Sequence, residues 1–485
     1  MKMITRNVAC VALMFAASIC FAQMYTVTDL GTLGGRSSEA FGINNYGQVV
    51  GYAWITGDAA WHAFRTAPNS PINPTTDDLG SLGGGLSLAY GINNSGQVVG
   101  YSFTSTGEQH AFRTGPYDPS GPIPMNAATD DLGTLGGPFS WAYGINDSGQ
   151  VVGISMIPGE SFDTHYSYHA FRTASNSHIN PTTDNLGGFS DPDVYTIPLG
   201  INAYGQVVGY SWTWAGYGGG TVHAFRTSAN RHINPATDDL GSLSVGGSSV
   251  ATAVNVFGQV AGFAANIDGW DHAFRTSANL PINPATDDLG SLGGLWSQAK
   301  GINAFAEVVG ASSSGAFLNT GKVMYNLNGL IPATSGWILS EANGINDAGQ
   351  IVGNGRRAFS GVRAVLITPI YKAFVQQPIN ANGSSVFKAT RGTVPVKFRL
   401  TRYGIPTCTL LPATVAIVKA GGGILSSVDE TIYSTQADSG SNFRIDSTAC
   451  QYVYSLAASS LGVGTYRVDI SINGIMVGHA VFALR

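Results

Sequence analysis

The sequence predicts an all-β protein in two parts, a long repeat array followed by a smaller β-sandwich. A ten-residue phrase recurs seven times, at spacings of 43 to 56 residues between starts. A period of that length is typical of an array of supersecondary units. The chain also contains 64 glycines and shows little sustained helical periodicity, which favours short strands joined by tight turns.

The repeat consists of three phrases that travel together. Its central phrase has the form GINxxGQVVG, and the seven copies begin at residues 42, 91, 144, 200, 253, 301 and 344. A DLG phrase stands upstream, as in DLGSLGG at 78–84, and a HAFRT phrase follows downstream, as at 62–66. One copy gives four short strands: TDDLGSL, SLAYGIN (87–93), QVVGYSF (97–103) and HAFRT. The Asn-x-x-Gly sequence between the middle two suits a hairpin turn.

Four antiparallel strands in about 50 residues form the unit of a β-propeller blade, so seven copies predict a seven-bladed β-propeller over 23–370. The repeat region opens with a lone DLG-type strand at 25–31 and closes with a lone HAF-type strand at 363–369. If these two strands pair, the chain ends complete one blade together and fasten a ring. An open β-solenoid is the alternative that the sequence leaves.

Residues 1–22 are predicted to be a signal peptide. Lys2 and Arg6 precede an apolar run too short to span a bilayer comfortably, and Ala22 suits a cleavage site. We therefore expect a secreted or extracellular protein that begins near Gln23, with the periplasm as the alternative location, and no integral membrane segment after signal removal.

Residues 23–370 carry a net charge of −12, and residues 371–485 carry a net charge of +5. An acidic repeat region argues against nucleic acid as a partner.

Residues 371–485 are predicted to form an immunoglobulin-like sandwich. About seven short alternating runs, such as VPVKFRL at 394–400, fit that architecture. Tyr466 is expected to be the buried anchor of a tyrosine-corner turn. Cys408 and Cys450 are the only cysteines after residue 22, and in an exported protein they predict one disulfide.

The repeat phrases resemble the HAF-repeat family of extracellular bacterial proteins over about 25–369. The C-terminal region resembles the PxKF domain through Pro395-Val396-Lys397-Phe398 and the ADSGSNFRID stretch at 437–446. These resemblances imply an extracytoplasmic β-rich array without an established activity and a non-catalytic accessory module. The chain departs from the family in long PINPTTDDLG-type connections, for example at 71–80.

Two repeated polar sets are expected to serve the scaffold. The HAF histidines occur once per repeat, so a ring would hold them too far apart to share a metal, and each is predicted to bond a neighbouring loop; they are His62, His110, His169, His223 and His272. The Asp pairs, as at 77–78, lack the spacing of a calcium loop and are expected to bond their own turns. Nucleophile, zinc and phosphate-loop motifs are absent in the required contexts. We therefore predict no metal, no cofactor and no catalytic residue.

The connections between QVVG and HAFRT differ in length and sequence while their flanks barely change, and they should emerge on one face. They are rich in aromatic residues, which are the candidate ligand-binding residues: Trp54, Trp61, Tyr166, Tyr168, Trp212, Trp214 and Trp270. Flat aromatics suit sugar rings or a protein partner. The competing interpretation is that several of them continue a strand and pack between blades.

The sequence thus favours an exported, non-enzymatic binding protein that presents propeller loops to a glycan or protein ligand. The alternative is a glycan-active hydrolase or lyase, which would place two carboxylates at a defined separation. Its candidates are the residues that break the repeat pattern: Glu160, Asp163, His165 and Glu307. A third possibility is a passive surface or matrix component.

Overall fold

The computed structural model describes residues 24–485 except 121–123, 160–167, 190–194, 214–219, 321–322, 359, 390–391, 403–404, 408–410, 421–435 and 473. Strands make up 50% of the chain and helices 4%, so the all-β prediction is confirmed. None of the helices in the described part is long and apolar enough to cross a membrane.

The repeat region forms seven small antiparallel sheets. Its strands are β1 (Tyr25–Asp29); β2 (Gly34–Ile43), β3 (Val49–Ile55) and β4 (Trp61–Arg65) of sheet one; β5 (Gly83–Ile92), β6 (Val98–Thr104) and β7 (Gln109–Arg113) of sheet two; β8 (Ser140–Ile145), β9 (Val151–Ser155) and β10 (His169–Arg172) of sheet three; β11 (Thr196–Ile201), β12 (Val207–Thr213) and β13 (Thr221–Arg226) of sheet four; β14 (Ser249–Val254), β15 (Val260–Ala265) and β16 (Asp271–Arg275) of sheet five; β17 (Ser297–Ile302), β18 (Val308–Ser312), β19 (Gly315–Thr320) and β20 (Val323–Asn326) of sheet six; and β21 (Ile338–Ile345), β22 (Ile351–Arg356) and β23 (Arg363–Pro369) of sheet seven. One helical turn, α1 (Ala127–Asp130), and 3-10 turns at Thr56–Asp58, Leu327–Gly329 and Ala333–Ser335 lie in the connections.

The two ends of the repeat region meet in sheet seven. β1 pairs antiparallel with β23, from Tyr25 opposite Pro369 to Asp29 opposite Val365. The sequence-based prediction that these lone strands complete one unit is therefore confirmed. Sheet seven is held together by strands from both ends of a segment of more than 300 residues.

The seven sheets form a closed cycle. The first strand of each sheet (β2, β5, β8, β11, β14, β17 and β21) contacts the first strand of the next sheet, and β21 contacts β2. We call these the inner strands and the whole cycle the ring. An open solenoid would leave the first and last sheets apart, and a seven-bladed propeller is the architecture that we infer from the cyclic order.

The predicted DLG strand is wrong for five of the sheets, whereas the predicted HAFRT strand is present in each of them. In sheet one the DLG phrase makes a single bridge, between Asp78 and Phe64, and the next four sheets each have the same single bridge. The chain then turns away, because Gly80 has a φ of +66° and its N–H donates to the Asp78 carboxylate. Within the described residues, only sheets six and seven have a DLG-type fourth strand, β20 and β1 respectively.

A circle of side-chain hydrogen bonds joins the inner strands. Asn44, which follows the inner strand of sheet one, donates from Nδ2 to the carbonyl oxygen of Asn93 in sheet two, at 3.0 Å. The same bond recurs from each sheet to the next at 3.0–3.2 Å, and Asn346 closes the circle on the carbonyl of Asn44. We call this set the asparagine ring; its members are Asn44, Asn93, Asn146, Asn202, Asn255, Asn303 and Asn346.

Each asparagine also holds its own turn. Nδ2 of Asn44 donates to Gln48 Oε1 at 2.8 Å, and Oδ1 accepts the backbone N–H groups of Tyr46 and Gln48. Because its amide uses both donors and two acceptor sites, the side chain is satisfied although it is only 4% exposed. The asparagine therefore couples the hairpin turn of one sheet to the position of the next.

Apolar clusters fill the space between adjacent sheets. Phe64 of the HAFRT phrase is fully buried and packs in one cluster with Ala40 of its own sheet and with Val352 and Leu366 of sheet seven. Equivalent clusters join the other neighbouring pairs, and the HAFRT phenylalanines of sheets two to five are buried in the same way. Burial of this kind is the main favourable contribution to assembling the ring.

The repeated histidines bind the DLG phrase of their own sheet. His62 Nδ1 lies 2.9 Å from Asp78 Oδ1, and the same contact recurs for His110 with Asp131, His223 with Asp239 and His272 with Asp288. The predicted scaffold role is confirmed for these four residues. The preceding aspartates also act in their turns as predicted: Asp77, for example, accepts the backbone N–H of Asn73 at 2.8 Å.

The C-terminal region forms two sheets that share one apolar core. Its strands are β24 (Tyr371–Gln376), β25 (Ser385–Phe387), β26 (Thr393–Arg402), β27 (Ile405–Thr407), β28 (Ala413–Ala420), β29 (Arg444–Asp446), β30 (Gln451–Ala457), β31 (Gly464–Ile472) and β32 (Ile475–Leu484), with a 3-10 turn at Ala458–Ser460. Tyr466 is 3% exposed and its hydroxyl donates to the Gly462 carbonyl, as expected of a tyrosine corner. Cys450 is disulfide-bonded, and its predicted partner Cys408 lies outside the described residues.

Replacing Asn202 with Asp is expected to lower the free energy of unfolding by about 2–3 kcal/mol, because the carbonyl of Asn255 and the amide oxygen of Gln206 both lose a buried donor. Chemical denaturation measures this change. Tyr204→Ser, in the same turn but at a side chain 65% exposed, is the control and should stay within about 0.5 kcal/mol of the parent. Equal stabilities for the two variants would contradict the role given to the asparagine ring.

The histidine–aspartate contacts predict a pH dependence of folding. The hydrogen bond to aspartate raises the pKa of His62, His110 and His223, against an opposing effect of burial. A raised histidine pKa contributes stability that is present below the ordinary value near 6.5 and is lost as pH rises through the folded-state value. The free energy of unfolding should therefore fall less steeply between pH 6 and 8 in the triple His→Gln variant than in the parent. Identical slopes would rule this contribution out.

Candidate functional site

The ring has two distinct faces. The seven turns that follow the inner strands, six of them Asn-x-x-Gly and the sheet-six turn ending in Ala306, gather at one end, where their asparagines line a shared axial depression. The C-terminal domain packs against that same end, since Phe305, Ala348 and Gly349 of the sheet-six and sheet-seven turns border a cleft with β24 and β32. In an antiparallel sheet the next hairpin lies at the other end, so the variable connections emerge on the face away from the C-terminal domain. We call it the loop face.

The first two predicted binding residues pack on each other. Trp54 and Trp61 are cross-strand partners in sheet one, with an edge-on contact of 5.2 Å between ring centroids. The guanidinium of Arg36 lies 4.8 Å from the Trp54 ring. Both tryptophans are half-buried, so the packing interpretation describes this pair better than a free binding surface does.

The other predicted binding residues that the structure describes are spread over other sheets. Tyr168 packs 6.0 Å from Phe139, and Trp212 lies 6.3 Å from Tyr195. Trp270 is 46% exposed at the tip of the sheet-five hairpin. Tyr166 and Trp214 lie outside the described residues, as do Glu160, Asp163 and His165. The structure does not gather the described aromatics into one cluster, and only Trp270 offers a largely open ring.

A different set of aromatics does gather, on the inner and second strands of sheets one to four. Phe41 lies 5.5 Å from Tyr90 of the next sheet, and Tyr90 lies 5.2 Å from Tyr143 of the one after. Tyr101 stacks on Trp141 at 4.6 Å with an interplanar angle of 20°. We call this set the aromatic arc: Phe41, Tyr52, Tyr90, Tyr101, Trp141, Tyr143 and Tyr210.

The tyrosines of the aromatic arc have buried rings and accessible tips. The hydroxyls of Tyr90, Tyr101, Tyr143 and Tyr210 have no hydrogen-bond partner among the described residues, and none is enclosed as a buried, unsatisfied atom. Burial raises the pKa of all four, so the phenols are neutral at physiological pH. They therefore present aromatic edges together with hydroxyls able to donate and accept.

A polar arc continues the circle on sheets six, seven and one. Lys300 forms an ion pair with Glu341 and also donates to Asn343 Oδ1 at 3.0 Å. Burial opposes ionisation of Glu341, but Lys300 and nearby amides outweigh it and lower the pKa of that carboxyl. Glu39 accepts from Tyr52 Oη at 2.8 Å, where the polar and aromatic arcs meet. The ring thus carries an aromatic set on sheets one to four and a polar, charged set on sheets six, seven and one.

Sequence reasoning missed these two arcs. The sequence signal is the residue just before each Gly-Ile-Asn, which varies from copy to copy while its neighbours hardly change: Phe41, Tyr90, Tyr143, Leu199, Thr252, Lys300 and Asn343. This position varies between constant flanks, as the connections between QVVG and HAFRT do, and it could have been recognised in the same way. Among the described residues no group of three or more His, Cys, Asp or Glu side chains is placed to hold a metal.

No protein-family model matches this chain, and no curated protein does. Twelve chains of solved structures show similarity to this chain, and two of them serve as examples. A puromycin-hydrolysing peptidase of Mycobacterium tuberculosis aligns over 76% of this chain and 59% of its own, with 11% identity and a TM-score of 0.41. The extracellular domain of a one-component system protein from B. thetaiotaomicron aligns over 96% and 59%, with 11% identity and a TM-score of 0.29. The chain thus spans less than two thirds of either protein, and its resemblance to HAF-repeat and PxKF proteins stays a prediction.

The packing of Trp54 predicts a larger stability loss than the exposed Trp270 does. Trp54→Ala should lower the free energy of unfolding by about 1–2 kcal/mol, through the lost aromatic pair and cation–π contact. Trp270→Ala should change it by no more than about 0.5 kcal/mol. Denaturant titration of both variants measures the difference. A Trp54 variant as stable as the parent would return this residue to the set of free binding candidates.

Proposed function

We propose that the protein is an exported, non-enzymatic binding protein whose ligand is a glycan held by the aromatic arc of the ring. The observation that carries the proposal is the group of four tyrosines whose rings are packed while their hydroxyls have no protein partner among the described residues. A structural tyrosine normally bonds its hydroxyl when it is buried. Four accessible hydroxyls in one arc give a polar ligand several donors and acceptors to bind.

A glycan matches this chemistry. The apolar face of a sugar ring stacks on flat aromatics, and its hydroxyls pair with neutral phenols that both donate and accept. The adjacent polar arc adds carboxylates and amides, through Glu39, Glu341 and Asn343, as further acceptors and donors. Ligands of this kind occupy concave sites in which a few polar groups set the orientation.

The location fits the same function. The predicted signal peptide and the disulfide-bonded Cys450 are typical of an exported protein. The C-terminal domain lies against the opposite face, so it leaves the loop face open to a large ligand. A protein ligand on the loop face is the other partner that the sequence predicts, and a passive surface role is the remaining one.

The test is a broad glycan array probed with the mature protein and with the double variant Tyr90→Phe/Tyr143→Phe. Removing two hydroxyls that bond no described residue should leave folding intact and weaken glycan binding about tenfold or more, as expected when two ligand hydrogen bonds are lost. Tyr204→Phe, on the face that carries the C-terminal domain, is the matched control and should bind as the parent does.

Three results would contradict the proposal. Failure of the parent protein to bind any glycan would favour a protein partner or a structural role. Binding that survives in the double variant but is lost in Trp270→Ala would place the site on the hairpin tips. Hydrolysis or elimination of a bound glycan by the parent would show the enzymatic alternative.

A further inference from the structure

The C-terminal domain contacts several parts of the ring, including the sheet-six and sheet-seven turns and Tyr325 of β20, and its aromatic contact is with the sheet-six turn. Phe305, in the turn between β17 and β18, stacks against His479 of β32 with ring centroids 3.4 Å apart. The guanidinium of Arg467 on β31 lies 5.8 Å from the same phenylalanine. A cleft of about 190 Å³ opens beside this contact and is lined by residues of both parts of the chain.

The sheet-six turn departs from the other six at the residue that follows the turn, which is otherwise a glutamine. Six repeats have glutamine at the end of the turn, and sheet six has Glu307. In five of those six repeats the glutamine is half-buried, whereas Glu307 is 5% exposed. Gln48, the sixth, is 2% exposed, so burial at this position does not by itself require the domain. Glu307 borders the cleft between the two parts of the chain, together with residues of β24 and β32.

The buried carboxyl has two side-chain hydrogen-bond partners, Asn303 and Thr320. Asn303 Nδ2 donates to Glu307 Oε2 at 2.8 Å, as its equivalents do to glutamine in the other sheets. Arg467 attracts the carboxylate, but Arg467 is already engaged by Asp469 at 2.7 and 3.0 Å, and Asp469 repels Glu307. Burial is the largest effect and raises the pKa of Glu307 to about 7.

The surrounding titratable and charged groups come from every element packed on the turn: Arg467 and Asp469 of β31, His479 of β32, Lys372 of β24, Asp347 of the sheet-seven turn, Arg275 of β16 and Tyr25 of β1. Burial, followed by the charges of Arg467 and Lys372, lowers the pKa of His479 to about 4. Burial raises the pKa of Tyr25 well above 10. Neither of these two groups therefore changes charge between pH 5.5 and 8.5.

We infer that the contact between the ring and the C-terminal domain is a pH-sensitive latch in which Glu307 is the switch. The domain docks tightly while the Glu307 carboxyl is protonated and opens more readily once the carboxyl is ionised. An ionised carboxylate with few partners is costly to bury, and separation of the two parts lets water reach it. The latch controls how firmly the accessory domain is held to the ring.

The direction of the pH effect on docking follows from the raised pKa of Glu307. The docked state keeps the proton over a range in which the separated state, with a glutamate near its ordinary value of 4.5, has lost it. The stabilisation of docking is thus fully present below about pH 4.5 and is lost as pH rises through about 7. Between pH 5.5 and 8.5 the docking equilibrium constant should fall roughly 10- to 100-fold.

Hydrogen exchange of the full mature protein tests this inference. The measured quantity is the protection of the Met476–His479 segment, corrected for the intrinsic effect of pH and compared with β6 of the ring as an internal reference. Protection relative to β6 should fall roughly 10- to 100-fold from pH 5.5 to 8.5 in the parent. In Glu307→Gln it should be the same at both pH values, and this variant should fold because six sheets already carry glutamine there.

Gln259→Glu is the matched control. It places a carboxyl at the equivalent position of sheet five, away from the cleft, and should leave the pH dependence of the docked segment as it is in the parent. Protection that does not change with pH in the parent would overturn the inference. The same holds for a Glu307→Gln variant that keeps the full pH dependence, because another group would then be the switch.

Discussion

The closed circle of asparagine hydrogen bonds is the constraint on which the rest of the repeat region depends. Each asparagine fixes its own hairpin through two backbone N–H groups and a glutamine, and reaches the backbone of the next sheet with the same amide. Seven repeats satisfy seven such bonds only when the last sheet meets the first, as Asn346 and Asn44 do. The inner strands are consequently held close together: a Cβ on Gly42 would lie 3.0 Å from the carbonyl oxygen of Tyr90. This explains the glycine before each Ile-Asn in all sheets but the fifth, which has Ala253.

Along each inner strand, residues that hold the scaffold together alternate with residues that are available for function. The buried serine, alanine and asparagine positions repeat because they contact the neighbouring sheets, whereas half-buried positions between them, such as Phe41 and Tyr90, differ from sheet to sheet. Their differences break the sevenfold symmetry into an aromatic arc and a polar arc. In the sheet-six turn, which contacts the C-terminal domain, the replacement of glutamine by Glu307 breaks the symmetry a second time. Ala253 and Ala306 are further exceptions to the repeat.

Much of the fold was predictable from the sequence because repeats average out local ambiguity. Seven copies revealed the strand order, the hairpin turns and the pairing of β1 with β23, and the role of the HAF histidines followed from their single occurrence in each repeat. The DLG strand was over-predicted because Asp78 and Gly80 end the pairing of the DLG phrase after one bridge. The site was harder to predict, because the sequence does not tell which side of an inner strand faces the axis. Tyr90 and Tyr143 looked like ordinary strand residues, while Trp54 looked free although it packs on Trp61. Glu307 stood out as an exception, but its burial depends on a domain contact that the repeat pattern does not contain.

Hydroxyl-radical footprinting of the mature protein, read residue by residue by mass spectrometry, tests most directly whether the ring presents an open aromatic wall. The structure predicts that Tyr101 and Tyr210 are oxidised far faster than Phe112 and Phe225, which are fully buried in the same sheets. A glycan ligand should then protect these tyrosines and leave Trp54 unchanged. Tyrosines oxidised as slowly as the buried phenylalanines would show that the inner wall is closed to solvent, and the aromatic arc would then be a packing core without a binding role.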